Sequence, residues 1–214
     1  MSRFKAVIFD LDGVITDTAH YHYLAWKRLA ESVGVGFDAQ FNEQLKGVDR
    51  MGSLDLILGA AAGAYTHQQK LELAEVKNRH YQELIAAMSA GDLLPGALDA
   101  LAAVRAAGLK IGLASVSKNA FTVLDYLGIR NSFDIVVDAR LVANSKPDPE
   151  IFLSAAQQLG VAPADCLGVE DAVAGVAAIK SAGMFALGIG KPEVLAQADL
   201  VISGLDRFRL SDYG

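Results

Sequence analysis

Two aspartates stand two positions apart in Phe9-Asp10-Leu11-Asp12-Gly13, directly after the apolar run Ala6-Val7-Ile8-Phe9. In an extended chain, side chains two residues apart point to the same side. Two carboxylates held so close need a cation or a shared proton. Gly13 lets the chain turn sharply just beyond them. A second acidic pair, Glu170-Asp171, follows Leu167-Gly168-Val169. Oxygen-only ligands of this kind suit a hard cation such as Mg²⁺, which usually keeps several waters. Each pair has a plain alternative. The first can be an Asp-Gly turn with solvated carboxylates, and in the second Asp171 can cap a helix starting at Ala172.

Two further segments carry chemistry of a complementary kind. Ala114-Ser115-Val116-Ser117-Lys118-Asn119 offers small hydroxyls ahead of a helix start, which suits phosphate but equally suits an ordinary N-cap. In Asn144-Ser145-Lys146-Pro147-Asp148-Pro149, Lys146 lies between a turn and a helix start and could neutralise a phosphate. The four segments follow apolar runs in order: acid, hydroxyl, lysine, acid. That set is what phosphoryl transfer through an aspartate requires.

The apolar runs must place these groups. Ala6 to Phe9, Lys110 to Ala114, Ile135 to Val137, Cys166 to Val169 and Met184 to Ile189 read as strands, the first buried on both faces. Helix-length stretches alternate with them. Leu98 to Ala106 and Ala120 to Leu127 stop at glycines. Pro149 to Leu159 has Asp148 as a candidate N-cap, and Ala172 to Ser181 ends before Gly183. The alternation predicts an α/β fold, a doubly wound parallel sheet. Residues 18–93 break it. Tyr21, Leu24, Ala25 and Leu29, then Leu54, Ile57 and Leu58, then Leu71, Leu73, Val76, Tyr81 and Leu84 recur at helical spacing with no clear strand between them. A helical domain over 18–93 inserted into a core of 1–17 and 94–214 is expected.

Composition narrows the class. Apolar residues make up 52% and charged residues 21%, ample for a buried core. The net charge of −6 disfavours binding to a nucleic-acid backbone, so an anionic ligand must be held by a few local cations. Cys166 is the only cysteine, so no internal disulfide can form. No targeting pattern and no apolar stretch of about 18 residues is present, and a cytoplasmic monomer without membrane contact is expected.

Asp10-Leu11-Asp12-Gly13, Ser115, Lys146 and Glu170-Asp171 together resemble the four motifs of the haloacid dehalogenase superfamily, and the inserted helices resemble its small helical cap. The likeness runs closer to the β-phosphoglucomutases through FDLDGVITDTAHYH (Phe9 to His22), LKGVDR (Leu45 to Arg50), ASVSKN (Ala114 to Asn119) and SKPDPEIF (Ser145 to Phe152). The resemblance covers essentially the whole chain and implies a Rossmann-like core.

It also implies roles. Asp10 is the nucleophile and a Mg²⁺ ligand. Asp12 is the general acid/base, with its carbonyl on the metal, and Glu170 and Asp171 complete the metal shell. Ser115 and Lys146 hold the transferring phosphoryl group beside Val116, while Ser117, Lys118 and Asn119 contact the rest of the substrate. In the cap, Arg50 takes the distal phosphate and Lys46, Gly47 and Val48 close over the sugar. Thr18 and His22 link hinge and cap, and Lys77 and Asn78 are further cap contacts. Asp49 puts a negative charge next to Arg50. The implied reaction converts β-glucose 1-phosphate to glucose 6-phosphate, primed by β-glucose 1,6-bisphosphate. A Mg²⁺-dependent sugar phosphatase of the same fold is the alternative, differing in admitting water to the phosphoaspartate.

Overall fold

Ala6–Phe9 carries no polar side chain and forms strand β1, buried along its whole length. The remaining strands are β2 (Lys110–Leu113), β3 (Ile135–Val136), β4 (Cys166–Glu170), β5 (Phe185–Ile189) and β6 (Leu200–Ile202). In this computed structural model, which describes residues 3–45 and 48–213, all six pair in parallel in the order β3-β2-β1-β4-β5-β6. The order reverses at β1, whose neighbours are β2 and β4. A crevice at the carboxyl ends of strands flanking such a switch point is the usual ligand site of an open α/β sheet. Asp10 follows β1 and Glu170 ends β4. β6, which the sequence reading lacks, is three residues long and only partly buried, so it offers no apolar run to recognise.

The chain divides into two units, Met1–Asp17 with Ser89–Gly214, and Thr18–Met88. Among its described residues the second holds helices and no strand of the sheet: α1 (Ala19–Ser32), α2 (Ala39–Glu43), α3 (Arg50–Leu58) and α4 (His67–Ile85). Its core gathers Trp26, Leu29, Ala30, Leu45, Leu54, Ile57, Leu58 and Ala74. α4 opens with a reciprocal capping box between Thr66 and Gln69, a device that satisfies two otherwise orphaned N–H groups. Leu71 and Val76, which help to signal this helix in the sequence, face solvent. The face that α4 buries is Ala74, Lys77, Asn78, Tyr81 and Ile85. Two polar residues on the buried face disrupt the apolar pattern there.

Residues 89–93, expected with the helical insertion, group with the sheet unit. The cause is local. The Thr16 hydroxyl donates to the Asp92 carbonyl at 2.7 Å, Leu94 N–H donates to the Ile15 carbonyl at 2.9 Å, and Thr16 and Leu93 form an isolated antiparallel bridge.

The sheet unit is covered by α5 (Ala97–Ala106), α6 (Ala120–Tyr126), α7 (Glu150–Leu159) and α8 (Val173–Ser181). Ala6 and Ile8 of β1 share one core with Ile151, Phe152 and Ala155 of α7 and Val176 and Ile179 of α8. Phe9 points elsewhere, its ring 6.3 Å from that of Phe208. Two predicted helix starts shift. α7 begins at Glu150 rather than Pro149, and the Asp148 carboxylate accepts from Glu150 N–H at 2.9 Å. α8 begins at Val173 with Ala172 as its cap residue, so Asp171 is not the N-cap. Among the described residues, no helix is long and apolar enough to cross a membrane.

Cys166 opens β4 and is fully buried, its thiol 3.4 Å from the Ala162 carbonyl. Burial, helped by the Asp165 charge, pushes the thiol up to about 11. A thiol titrates with a disulfide reagent only as accessible thiolate. At pH 8 the native protein should therefore show essentially no reactive thiol, and one per chain after denaturation in guanidinium. Rapid reaction in the native state would contradict this packing.

Candidate active site

Lys146 is the centre of the sheet unit's polar interior. Its ammonium donates to Asp10 Oδ1 at 2.6 Å and to Glu170 Oε2 at 3.2 Å, with side-chain exposures of 1%, 8% and 2% respectively. It also lies 5.1 Å from the centre of the Phe152 ring, where the ring face favours a cation. Burial alone would lower the Lys146 pKa, but the charges of Asp10 and Glu170 outweigh it and raise the net value. Glu170 moves up as well. Burial is the main cause, the charges of Asp10 and Asp171 add to it, and Lys146 opposes them.

Asp10, Glu170 and Asp171 each present an oxygen within 4.8 Å of the others. With all three ionised, one ammonium leaves a surplus of two negative charges. An all-oxygen donor set with that surplus fits a hard divalent cation. Two glycines make room for it. A Cβ on Gly13, whose φ is +77°, would lie 2.1 Å from Asp171 Oδ2. A Cβ on Gly175 would lie 2.1 Å from Glu170 Oε1. Any side chain at either position would push a carboxylate out of the cluster. Asp12 is half-buried and adds no carboxylate oxygen to the three. Its segment is fixed by a backbone bridge to Thr16 and by Gly13 N–H donating to the Thr16 carbonyl at 2.8 Å.

Beyond β2 the chain turns through two hydroxyl-stabilised steps. Ser115 Oγ accepts from Ser117 N–H at 3.1 Å, and Ser117 Oγ accepts from Asn119 N–H at 3.3 Å. Ser115 and Asn119 are buried, Val116 and Ser117 half-buried, and Lys118 exposed. β2 lies beside β1, so this turn and Asp10 leave adjacent strand ends.

The helical unit gathers a second polar group. Lys77 donates to His22 Nδ1 at 2.8 Å, and its ammonium lies 4.5 Å from the Trp26 ring centre and 4.8 Å from that of Tyr81. Burial, then the charges of Lys77 and Arg50, hold His22 well below the usual imidazole range. His22 is thus neutral, its Nδ1 the acceptor. Arg50 is the first residue of α3, and its Nη2 donates to Asn78 Oδ1 at 2.8 Å. Asp49 caps that helix, accepting from Met51 N–H at 2.8 Å and Gly52 N–H at 3.2 Å. Its negative charge is therefore spent on the helix N-terminus, where it is favoured. Thr18 is buried and its carbonyl accepts from His22 N–H at 2.9 Å. Val48 is half-buried. Lys46 and Gly47 lie outside the described residues. Sequence reasoning missed Glu75, 3.8 Å from Arg50 Nη1, and Gly175. The only sequence signal for Gly175 is a glycine inside an otherwise good helix, five residues after Glu170.

A haloacid dehalogenase-like hydrolase family model matches residues 4–183. The β-phosphoglucomutase of Bacillus subtilis is 53% identical over 200 residues, covering 92% of this chain and 88% of that protein. A phosphorylated carbohydrates phosphatase of Thermotoga maritima is 33% identical over 84% of this chain and 82% of its own. A crystal structure of β-phosphoglucomutase from Clostridium difficile superposes with a TM-score of 0.96 at 48% identity, covering 98% of this chain and 95% of that one.

The cluster's chemistry predicts how stability responds to metal. A carboxyl whose folded pKa is raised, as for Glu170, contributes stability that is full below its unfolded value of about 4.3. That contribution is lost as pH rises through the folded value. Bound metal needs the ionised form, so Mg²⁺ should raise Tm more at pH 8 than at pH 5. At about 100 times Kd the linkage is worth about 2.7 kcal/mol, on the order of 5–10 °C in a chain of this size. Thermal scans with and without Mg²⁺ at both pH values check this. An equal shift at both, or none at pH 8, would remove the cluster as a metal site.

Proposed function

Because the chain belongs to the haloacid dehalogenase-like hydrolase family, we propose that it interconverts β-D-glucose 1-phosphate and D-glucose 6-phosphate by phosphoryl transfer through Asp10. The observation that carries this reading is the majority identity with the Bacillus subtilis β-phosphoglucomutase along most of both chains. The Asp10–Lys146–Glu170 arrangement supports it, because it supplies a nucleophile and a fixed cation in one buried place.

In this mechanism Asp10 enters the cycle phosphorylated, primed by β-glucose 1,6-bisphosphate. Asp12 takes the proton of the sugar 6-hydroxyl while that oxygen attacks the phosphorus on Asp10, and free Asp10 and the bisphosphate result. The bisphosphate turns end for end. Asp10 then attacks the phosphorus at carbon 1, Asp12 returns its proton to the departing sugar oxygen, and glucose 6-phosphate leaves behind phosphorylated Asp10. Lys146 and Ser115 hold the transferring phosphoryl oxygens, and main-chain groups near Val116 assist. Ser117, Lys118 and Asn119 contact the remainder of the substrate. Asp10, the Asp12 carbonyl, Glu170 and Asp171 would hold Mg²⁺, which supplies charge neutralisation at the transferring group. In the helical unit, Arg50 grips the phosphate that is not reacting. A guanidinium does this well, since its fork meets either phosphate with two parallel N–H groups. Lys46, Gly47, Val48 and Lys77 complete the sugar contacts, and Thr18 and His22 link the hinge to the cap. The enzyme works in the cytoplasm as a monomer on small sugar phosphates.

The reading is tested by incubating the enzyme with β-glucose 1-phosphate, Mg²⁺ and a trace of the bisphosphate. Glucose 6-phosphate should accumulate with little inorganic phosphate. Stoichiometric release of inorganic phosphate would identify a phosphatase instead. Replacing Asp12 by Asn should slow both half-reactions by about 10²–10⁴-fold, and slowing of only one would end its shared role. Arg50→Ala should lower kcat/KM for β-glucose 1-phosphate by about tenfold to a hundredfold. It should leave phosphorylation by acetyl phosphate, which has no second phosphate, unchanged. Equal losses with both donors would mean general damage.

A further inference from the structure

α4 buries two polar side chains in the middle of its core-facing stripe, Lys77 and Asn78, at 4% and 8% exposure. A buried amide costs stability unless its polar atoms are bonded. The Asn78 Oδ1 accepts from the Arg50 Nη2 at 2.8 Å. One turn earlier on the same helix, Glu75 Oε2 lies 3.8 Å from Arg50 Nη1. Asn78 and Glu75 are three residues apart and so share a face of α4, and α3 begins at Arg50 beside them.

The two contacts differ in kind. The Asn78 bond is short, shielded and directional. It takes one of the five guanidinium N–H groups and leaves four for an anion. The Glu75 contact is longer than a hydrogen bond, and its carboxylate is 56% exposed, so it is screened and weak. An arginine free to sample its rotamers loses that freedom when it captures a phosphate, whereas one already oriented does not. A weak counter-charge can be displaced by a phosphate dianion, but it competes with it.

Resting on the reading of Arg50 as the clamp for the distal phosphate, we propose that α4 tunes this clamp: Asn78 is a positioning residue that aims the Arg50 guanidinium, and Glu75 is the counter-ion that the substrate phosphate displaces. Asn78 thus acts through Arg50 and not on the sugar.

The test is a double-mutant cycle with wild type, Asn78→Leu, Arg50→Ala and the double variant. KM and kcat for β-glucose 1-phosphate are measured, along with the rate of phosphorylation by acetyl phosphate. Leucine keeps the branching and the heavy-atom count of the asparagine side chain but is apolar, so the polar atoms are removed with the core stripe kept. N78L should raise KM about tenfold with kcat within about twofold and the acetyl phosphate rate unchanged. In the Arg50→Ala background it should add less than about twofold. An equal further loss there would mean that Asn78 touches the substrate or only packs, and the proposal falls. An unchanged KM for N78L would overturn it as well. Should Arg50→Ala alone have no effect, the clamp reading fails first, and the single variant shows that directly. Glu75→Gln, at an exposed position that cannot disturb the core, gives a second arm that survives any misfolding of N78L. It should lower KM about two- to threefold, more so at low salt, and a KM that is unchanged or higher would remove the counter-ion.

Discussion

Three carboxylates and one ammonium meet at the carboxyl ends of β1 and β4, and the negative charge that Lys146 leaves unbalanced when all three are ionised is the constraint the residues around them answer. Isolated buried charges are very costly, and paired ones are tolerated only when the geometry is tight. Lys146 meets that condition by bonding Asp10 and Glu170 together. The glycines at 13 and 175 follow from the same need, since a methyl group at either would drive a carboxylate out of place. A site that holds surplus negative charge in low dielectric is poised to accept a divalent cation. The parallel sheet supplies the framework. Its switch point at β1 places Asp10 and Glu170 on neighbouring strand ends without any loop having to carry them.

The helical unit solves a different problem. Its core is apolar through Trp26, Leu29 and Leu54, yet α4 turns Lys77 and Asn78 toward the interior. Each finds a partner: His22 for Lys77, with two aromatic faces around the ammonium, and Arg50 for Asn78. Polar groups buried at such cost fix orientation when every member is bonded. Asp49 fits the same logic. Its carboxylate looks like a liability next to Arg50, but as the cap of α3 it holds the helix that begins with Arg50.

The sequence is most readable where burial is complete. β1, β2, β4 and β5 appear as apolar runs because both of their faces are covered. The four strand-end motifs appear because their chemistry demands particular residue types. What escapes notice is set by three-dimensional contact alone. β6 is short and half-exposed. Leu71 and Val76 advertise the wrong face of α4, because the buried face is partly polar. Asp171 reads as a helix cap, yet the helix starts two residues later and its carboxylate lies against Gly13. Glu75 is an ordinary surface glutamate until its distance to Arg50 is known.

The central claim is that the aspartate held by Lys146 at the end of β1 is the group that becomes phosphorylated. Acyl phosphates are reduced by borohydride, which would convert a phosphorylated aspartate to homoserine while leaving free carboxylates untouched. Treating the Mg²⁺-loaded enzyme with acetyl phosphate, then with borohydride, and sequencing its peptides by mass spectrometry reads the position directly. The account predicts homoserine at residue 10 and nowhere else, and none when acetyl phosphate is omitted. Homoserine at residue 12, 170 or 171, or phosphate recovered on Ser115, would contradict it.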